Sequence, residues 1–502
     1  MSFRIFCLAS LAVATASAYG QTGWLQHGRD PQHTGLSTVK MNPMTTVLWS
    51  TPIDLAPQYS GTSLLIHYMC PLITPNNTVV VPVKRTASGS FMVQGRSGVN
   101  GNLLWKQVSN WIMPPSNWKP IMGLAMFPNP ADATKTSIAI ADSAGKVIIR
   151  DDADGATSTK RTVIFYGANN YRVDKAAYDA NVRINTPITA DAAGNLYFGY
   201  QVTGDTPLHL KSGIAKIGAN GVCKFKSAAD ATGDPNTGKV AMNCAPALRR
   251  DAGVLYFATN GGQPYLVALN TTTFNTAYKH ALKDPVNGNP ASVTDLSTAT
   301  PMVASNGDVF YGIMENPFGG NHVRGYMLHF DKQLNLVKFP GAFGWDHTPS
   351  LIPASSVPSY TGSSPYLLLC KYNHYASTGG NGANKLAILD PNDYQNDPVA
   401  GIVVMKEVLT ILSPTHDSDY PDNPDAVREW CINTVAVDRY GKAALVSCED
   451  GKTYRWDFIT NTLNAGIQLT NALGQAYTPT AIGPNGNGYA ISNGILFCVG
   501  SR

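Results

Sequence analysis

The stretch TPITADAAGNLYFGY, residues 186–200, decides the fold. A proline-led apolar pair runs into a Gly-Asn turn and then into an alternating aromatic strand, the pattern of a β-hairpin. The phrase returns as TPMVASNGDVFYGI (300–313) and APALRRDAGVLYFATN (245–260). Weaker copies are CPLITPNNTVVVPV (70–83), TVAVDRYGKAALVS (434–447) and TPTAIGPNGNGYAIS (478–492). Insertions stretch two more, at 119–142 and 348–372, so that eight hairpins result. Most are followed by two further short strands, as in YLVALNTTTFNTAYKHAL (265–282) and KTYRWDFITNTLNAGI (452–467).

A four-stranded antiparallel unit cannot bury both of its faces alone, and units repeated at this spacing do so by radial stacking. The expectation is an all-β chain, an eight-bladed β-propeller of four-stranded antiparallel blades, with seven blades as the alternative. The eighth hairpin runs into Arg502 with no room for outer strands, whereas TTVLWSTPI (45–53) is a strand without a hairpin. The N- and C-terminal strands are therefore expected to share one blade and close the ring.

The 502 residues are 44% hydrophobic and 14% charged, with a formal net charge of only +4, which suits a large core and argues against nucleic acid as a partner. Arg4, the apolar run from Ile5 to Ala14 and Ala16-Ser17-Ala18 form a secretory signal over residues 1–18. Residues 19–502 then make a single propeller domain, secreted or periplasmic. No later segment approaches ~18 uninterrupted apolar residues, so no transmembrane segment is expected. Seven cysteines follow Cys7. In CINTVAVDRYGKAALVSC (431–448), a turn at Asp438–Gly441 places Val437 opposite Lys442 and, stepping outward, Cys431 opposite Cys448. A disulfide between those two is the expectation.

The opening phrase GWLQHGRDPQHTGLS (23–37) and the blade end NGNLLWKQ (100–107) resemble the pyrroloquinoline quinone (PQQ)-like, or quinoprotein-like, β-propeller superfamily. The resemblance implies the propeller fold over nearly the whole mature chain, with Trp105 and Trp49 as blade-docking tryptophans. It leaves the activity open, because the same fold serves dehydrogenases and non-enzymatic assembly proteins. PQQ with Ca²⁺ is the cofactor the resemblance makes possible, but the motifs do not support it. The adjacent Cys-Cys pair of the alcohol dehydrogenases and the C-x-x-C-H haem attachment are both missing.

Residues just before each innermost strand should line one rim of the central channel, where propellers bind ligands. Here they are His67, Tyr68, Trp118, Lys119, Arg183, Asn185, Asn243, Asp295, Trp345, Asp346, His347, Glu429, Trp430, Asn433 and Tyr477. Their mixture of aromatic, cationic and carboxylate groups suits a sugar, a quinone or a peptide. Asp346 and His347 are neighbours, but adjacent strand residues point to opposite faces, which disfavours a shared proton. The acidic insertion 416–429 offers Asp417, Asp419, Asp422 and Asp425 as weak metal candidates, in a spacing that matches no EF-hand loop. No serine-hydrolase, zinc-protease or phosphate-loop motif is present, so catalytic residues are unassigned. The resulting expectation is a binding module for a protein, small-molecule or glycan ligand on the propeller face. An atypical PQQ-dependent dehydrogenase and a carbohydrate-active hydrolase or lyase are the alternatives.

Overall fold

A computed structural model of the chain describes residues 22–61, 63–471, 473 and 479–502, so the expected signal segment and Tyr477 lie outside the described residues. Eight small antiparallel sheets stand in a ring as an eight-bladed propeller. The first blade runs outward from the channel through Leu72–Ile73, Thr78–Lys84, Phe91–Ser97 and Leu103–Ser109. Its second strand is buried along its whole length, because both faces of a middle strand are covered by the neighbouring blades. The fifth blade has three strands, Met302–Val303, Val309–Ile313 and Tyr326–Phe330, and single bridges to Leu336 and Gly341 take the place of its fourth.

The ring closes as expected. The eighth sheet is ordered Ala481–Ile482, Gly488–Ser492, Ile495–Gly500 and then Thr46–Pro52. Thr46 stands opposite Gly500 and Pro52 opposite Ile495, with a bulge between Val47 and Trp49. Trp49 donates from Nε1 to the Gly98 carbonyl (3.2 Å), bolting the eighth blade to the first. Trp105 does the same between the first and second blades, donating to Ala153 O at 2.8 Å under the Arg150 guanidinium. Gly95 is required beneath Trp105, since a Cβ there would come within 2.2 Å of the indole.

Residues 24–37 thread the channel. Ile73 and Trp24 exchange backbone hydrogen bonds (2.7 and 2.8 Å), and Met126 N donates to Leu25 O at 2.8 Å. Gln26 exchanges side-chain bonds with Ala190, and Leu248 N donates to Pro31 O (2.7 Å). Val303 N then donates to Gln32 O, Leu351 N to Thr34 O and Val437 N to Gly35 O, at 2.8 to 2.9 Å. One segment therefore touches the inner strands of blades one to seven in order, before Asn42 N reaches Gly486 O in the eighth at 2.8 Å. Trp24, His27 and His33 are buried within it.

The expected disulfide is not formed. All seven cysteines of the described residues are free, Cys431 and Cys448 included. Asp438 is the last paired residue of its strand and stands opposite Ala443, because its carboxylate accepts from Tyr440 N (3.0 Å) and Gly441 N (2.7 Å) and so closes the turn from outside. Farther out the register slips, leaving Cys448 opposite Trp430 and Glu449 hydrogen-bonded to Glu429. Cys448 therefore shares a face with Trp430, and Cys431 points to the other.

Candidate functional site

Each inner strand begins at one rim, and the segments entering it converge above the threaded channel. There they enclose a cavity of about 270 Å³. His67, Trp118, Trp345, Asp346, Glu429, Trp430 and Asn433 line it, seven positions read from the sequence as rim residues. His67 stacks on Trp118, with ring centroids 5.2 Å apart, and donates from Nε2 to Leu296 O at 3.0 Å. Burial lowers the basicity of His67. Asp346, in a left-handed backbone conformation at φ 50°, accepts from Thr298 N and Thr298 Oγ1, both at 2.6 Å. Asn433 Nδ2 donates to Thr298 Oγ1 and to Asp346 O.

The structure places the other rim positions elsewhere. His347 is fully buried and accepts from Lys371 N (3.2 Å) through Nε2, on the face away from Asp346, so the two form no acid/base pair. Burial holds its basicity down to about 3. Asn185 donates to Val240 O (3.0 Å), tying the third blade to the fourth, and Asn243, at the entry to the fourth, accepts from Ile121 N (2.9 Å) at the entry to the second. Tyr68 donates to Asp54, which is paired with Lys84 at 2.8 Å inside the fold. Arg183 donates to Ala180 O (3.1 Å), Asp295 pairs with Lys239, and the Lys119 backbone pairs with His67 and Leu65. Of the acidic insertion, Asp417 and Asp419 are bound by Arg428 (3.0 and 2.9 Å), while Asp422 and Asp425 face solvent.

Sequence reading missed Lys371, Tyr375, Ser377 and Thr378, which form part of the wall. They lie at the end of Tyr366–Tyr372 and in the loop after it. An antiparallel second strand returns to the rim where the first began, so strand ends are a signal as good as strand starts. Lys371 is buried with its ammonium over the Phe343 ring, 5.6 Å from the centroid, and forms no ion pair among the described residues. Beside it, burial and the adjacent Glu449 push the Glu429 carboxyl well up from the usual carboxylate range.

Two solved structures match this geometry over most of their length. The quinohemoprotein alcohol dehydrogenase from Comamonas testosteroni is 12% identical, with 96% of this chain and 81% of that one covered at a TM-score of 0.56. A europium-containing methanol dehydrogenase is 11% identical, covering 93% and 89% at a TM-score of 0.54. The fold is that of the quinoprotein-like propellers. BamB from Moraxella catarrhalis also aligns, at 11% identity over 91% and 98% of the two chains, with a TM-score of 0.44. No protein-family profile matches the sequence, and no curated protein matches it.

The rim does not fit PQQ. That cofactor is a flat tricyclic ring bearing three carboxylates, and the cavity offers it one cation, Lys371, beside the two carboxyl groups of Asp346 and Glu429. The cysteine in the wall, Cys431, is a single free thiol and not half of an adjacent pair. Without a metal ion beside it, a tricarboxylate would enter with most of its charge uncompensated.

Proposed function

We propose that the chain is an exported, non-catalytic propeller that binds a small polar ligand of the sugar class in the rim cavity. One observation carries this reading: an aromatic-walled cavity whose lining includes polar side chains that lack protein partners. Lys371 forms no ion pair, and Asn433 Oδ1 and His67 Nδ1 have no hydrogen-bond partner, among the described residues. Buried polar atoms are rarely left so, because each costs about 1–3 kcal/mol without a partner. Sugar hydroxyls donate and accept at once, and the apolar face of a sugar ring covers an indole such as Trp345 or Trp118. The volume, just under the ~300–1,000 Å³ of drug-sized pockets, suits one or two rings. The signal-like residues 1–18 support export, and among the described residues no helix is long and apolar enough to cross a membrane.

Titration of the purified chain with a panel of mono- and disaccharides, read by tryptophan emission, tests the reading. Saturable quenching is expected, with Trp345→Ala and Lys371→Met each weakening it at least tenfold while leaving the unfolding midpoint in place. A panel that leaves the emission unchanged, or variants that bind as well as the parent, would overturn it.

A further inference from the structure

Glu429 and Cys431 are two residues apart on one extended segment, and Glu449 stands across from Glu429 on the next. Glu449 N donates to Glu429 O at 2.9 Å, and Trp430 faces Cys448 in the same register. Alternation along a strand then puts Glu429, Cys431 and Glu449 on one face and sends Trp430 and Cys448 to the other. The ligand atoms of the three lie within 4.8 Å of one another. We propose that this trio is a binding site for a borderline-soft divalent cation of the Zn²⁺ class, set in the wall of the rim cavity.

The donor set selects the metal. A thiolate favours Zn²⁺ and disfavours Ca²⁺ or Mg²⁺, while two carboxylates and a water complete a four-coordinate shell. Bonds of ~2.0–2.3 Å set tetrahedral ligands about 3.3–3.8 Å apart, so the trio needs to close by about 1 Å, within the reach of side-chain rotation.

Glu429 and Cys431 line the same cavity as Asn433 and His67, residues 2% and 4% exposed whose Oδ1 and Nδ1 have no hydrogen-bond partner among the described residues. Cys431 itself is 4% exposed. The inference does not depend on what organic ligand the cavity takes.

Adding Co²⁺ to the metal-free chain tests it. The expected result is one ion per chain with a thiolate-to-metal absorption in the near ultraviolet, displaced by Zn²⁺. Cys431→Ser should abolish that band, and Glu449→Gln should weaken binding at least tenfold. Alkylation of Cys431 in the unsubstituted chain gives a readout that needs no variant, and Zn²⁺ should slow it at least tenfold. Absence of saturable binding, binding without the thiolate band, binding unchanged in both variants, or unchanged alkylation would each overturn the site.

Discussion

His27 is 1% exposed, and neither of its ring nitrogens has a hydrogen-bond partner among the described residues. Burial, and then the edge-on His33 ring 5.8 Å away, holds its basicity down from 6.5 to about 3. The folded chain thus keeps this imidazole neutral at pH values where the unfolded chain protonates it. Stability from this group is fully present above about pH 6.5 and is lost as pH falls toward 3, at about 1.4 kcal/mol per unit. Between about pH 6.5 and 4.5 the loss is about 2 kcal/mol. His27→Leu, close in volume and unable to titrate, removes that slope and should be neutral or slightly stabilising at about pH 7.5. Urea midpoints of both proteins at intervals of about one pH unit from there down to about 4.5 measure the effect. Stability curves that stay parallel over that whole range would refute the reasoning, since a buried neutral imidazole must separate them.

His33, held down to about 4 chiefly by burial, should show the same divergence over a shorter window, read by the same titration of His33→Leu. Removal of residues 22–53 takes away the strand Thr46–Pro52 and the channel thread, and should leave the chain aggregated or without a cooperative melt; an unchanged melting curve would argue against closure. Trp105→Ala empties the junction between the first two blades and orphans Ala153 O, for a cost of about 3–5 kcal/mol by thermal unfolding. Non-reducing peptide mapping should find Cys431 and Cys448 as free thiols, and a Cys431–Cys448 cross-link would reinstate the rejected register.

The blades are legible because a hairpin announces itself twice, in the period of its strands and in the chemistry of its turn. Gly194 and Gly307, at φ 86° and 93°, occupy turns that the alternation on either side already demands. The cysteine pair misleads because Asp438 can open a loop or cap it from the last paired position, and composition is the same in both. At the rim, the start of each inner strand fixes which residues gather. It does not fix which way each points, so Asn185, Asn243 and His347 turn out to be ties between or within blades. Residues 24–37 carry no strand periodicity, because their bonds go to seven blades in turn and not to one ladder.

That thread also sets an order of events in synthesis. The residues that occupy the hub emerge from the ribosome early, yet their last partner, Gly486, comes more than four hundred positions later. Until the final hairpin exists, Trp49 has no complete seat, and the half-made ring resembles an open bracelet with a loose apolar clasp. A cell making this chain must keep that clasp from finding the wrong sheet edge, so assembly is most exposed to mispairing just before its last blade is finished.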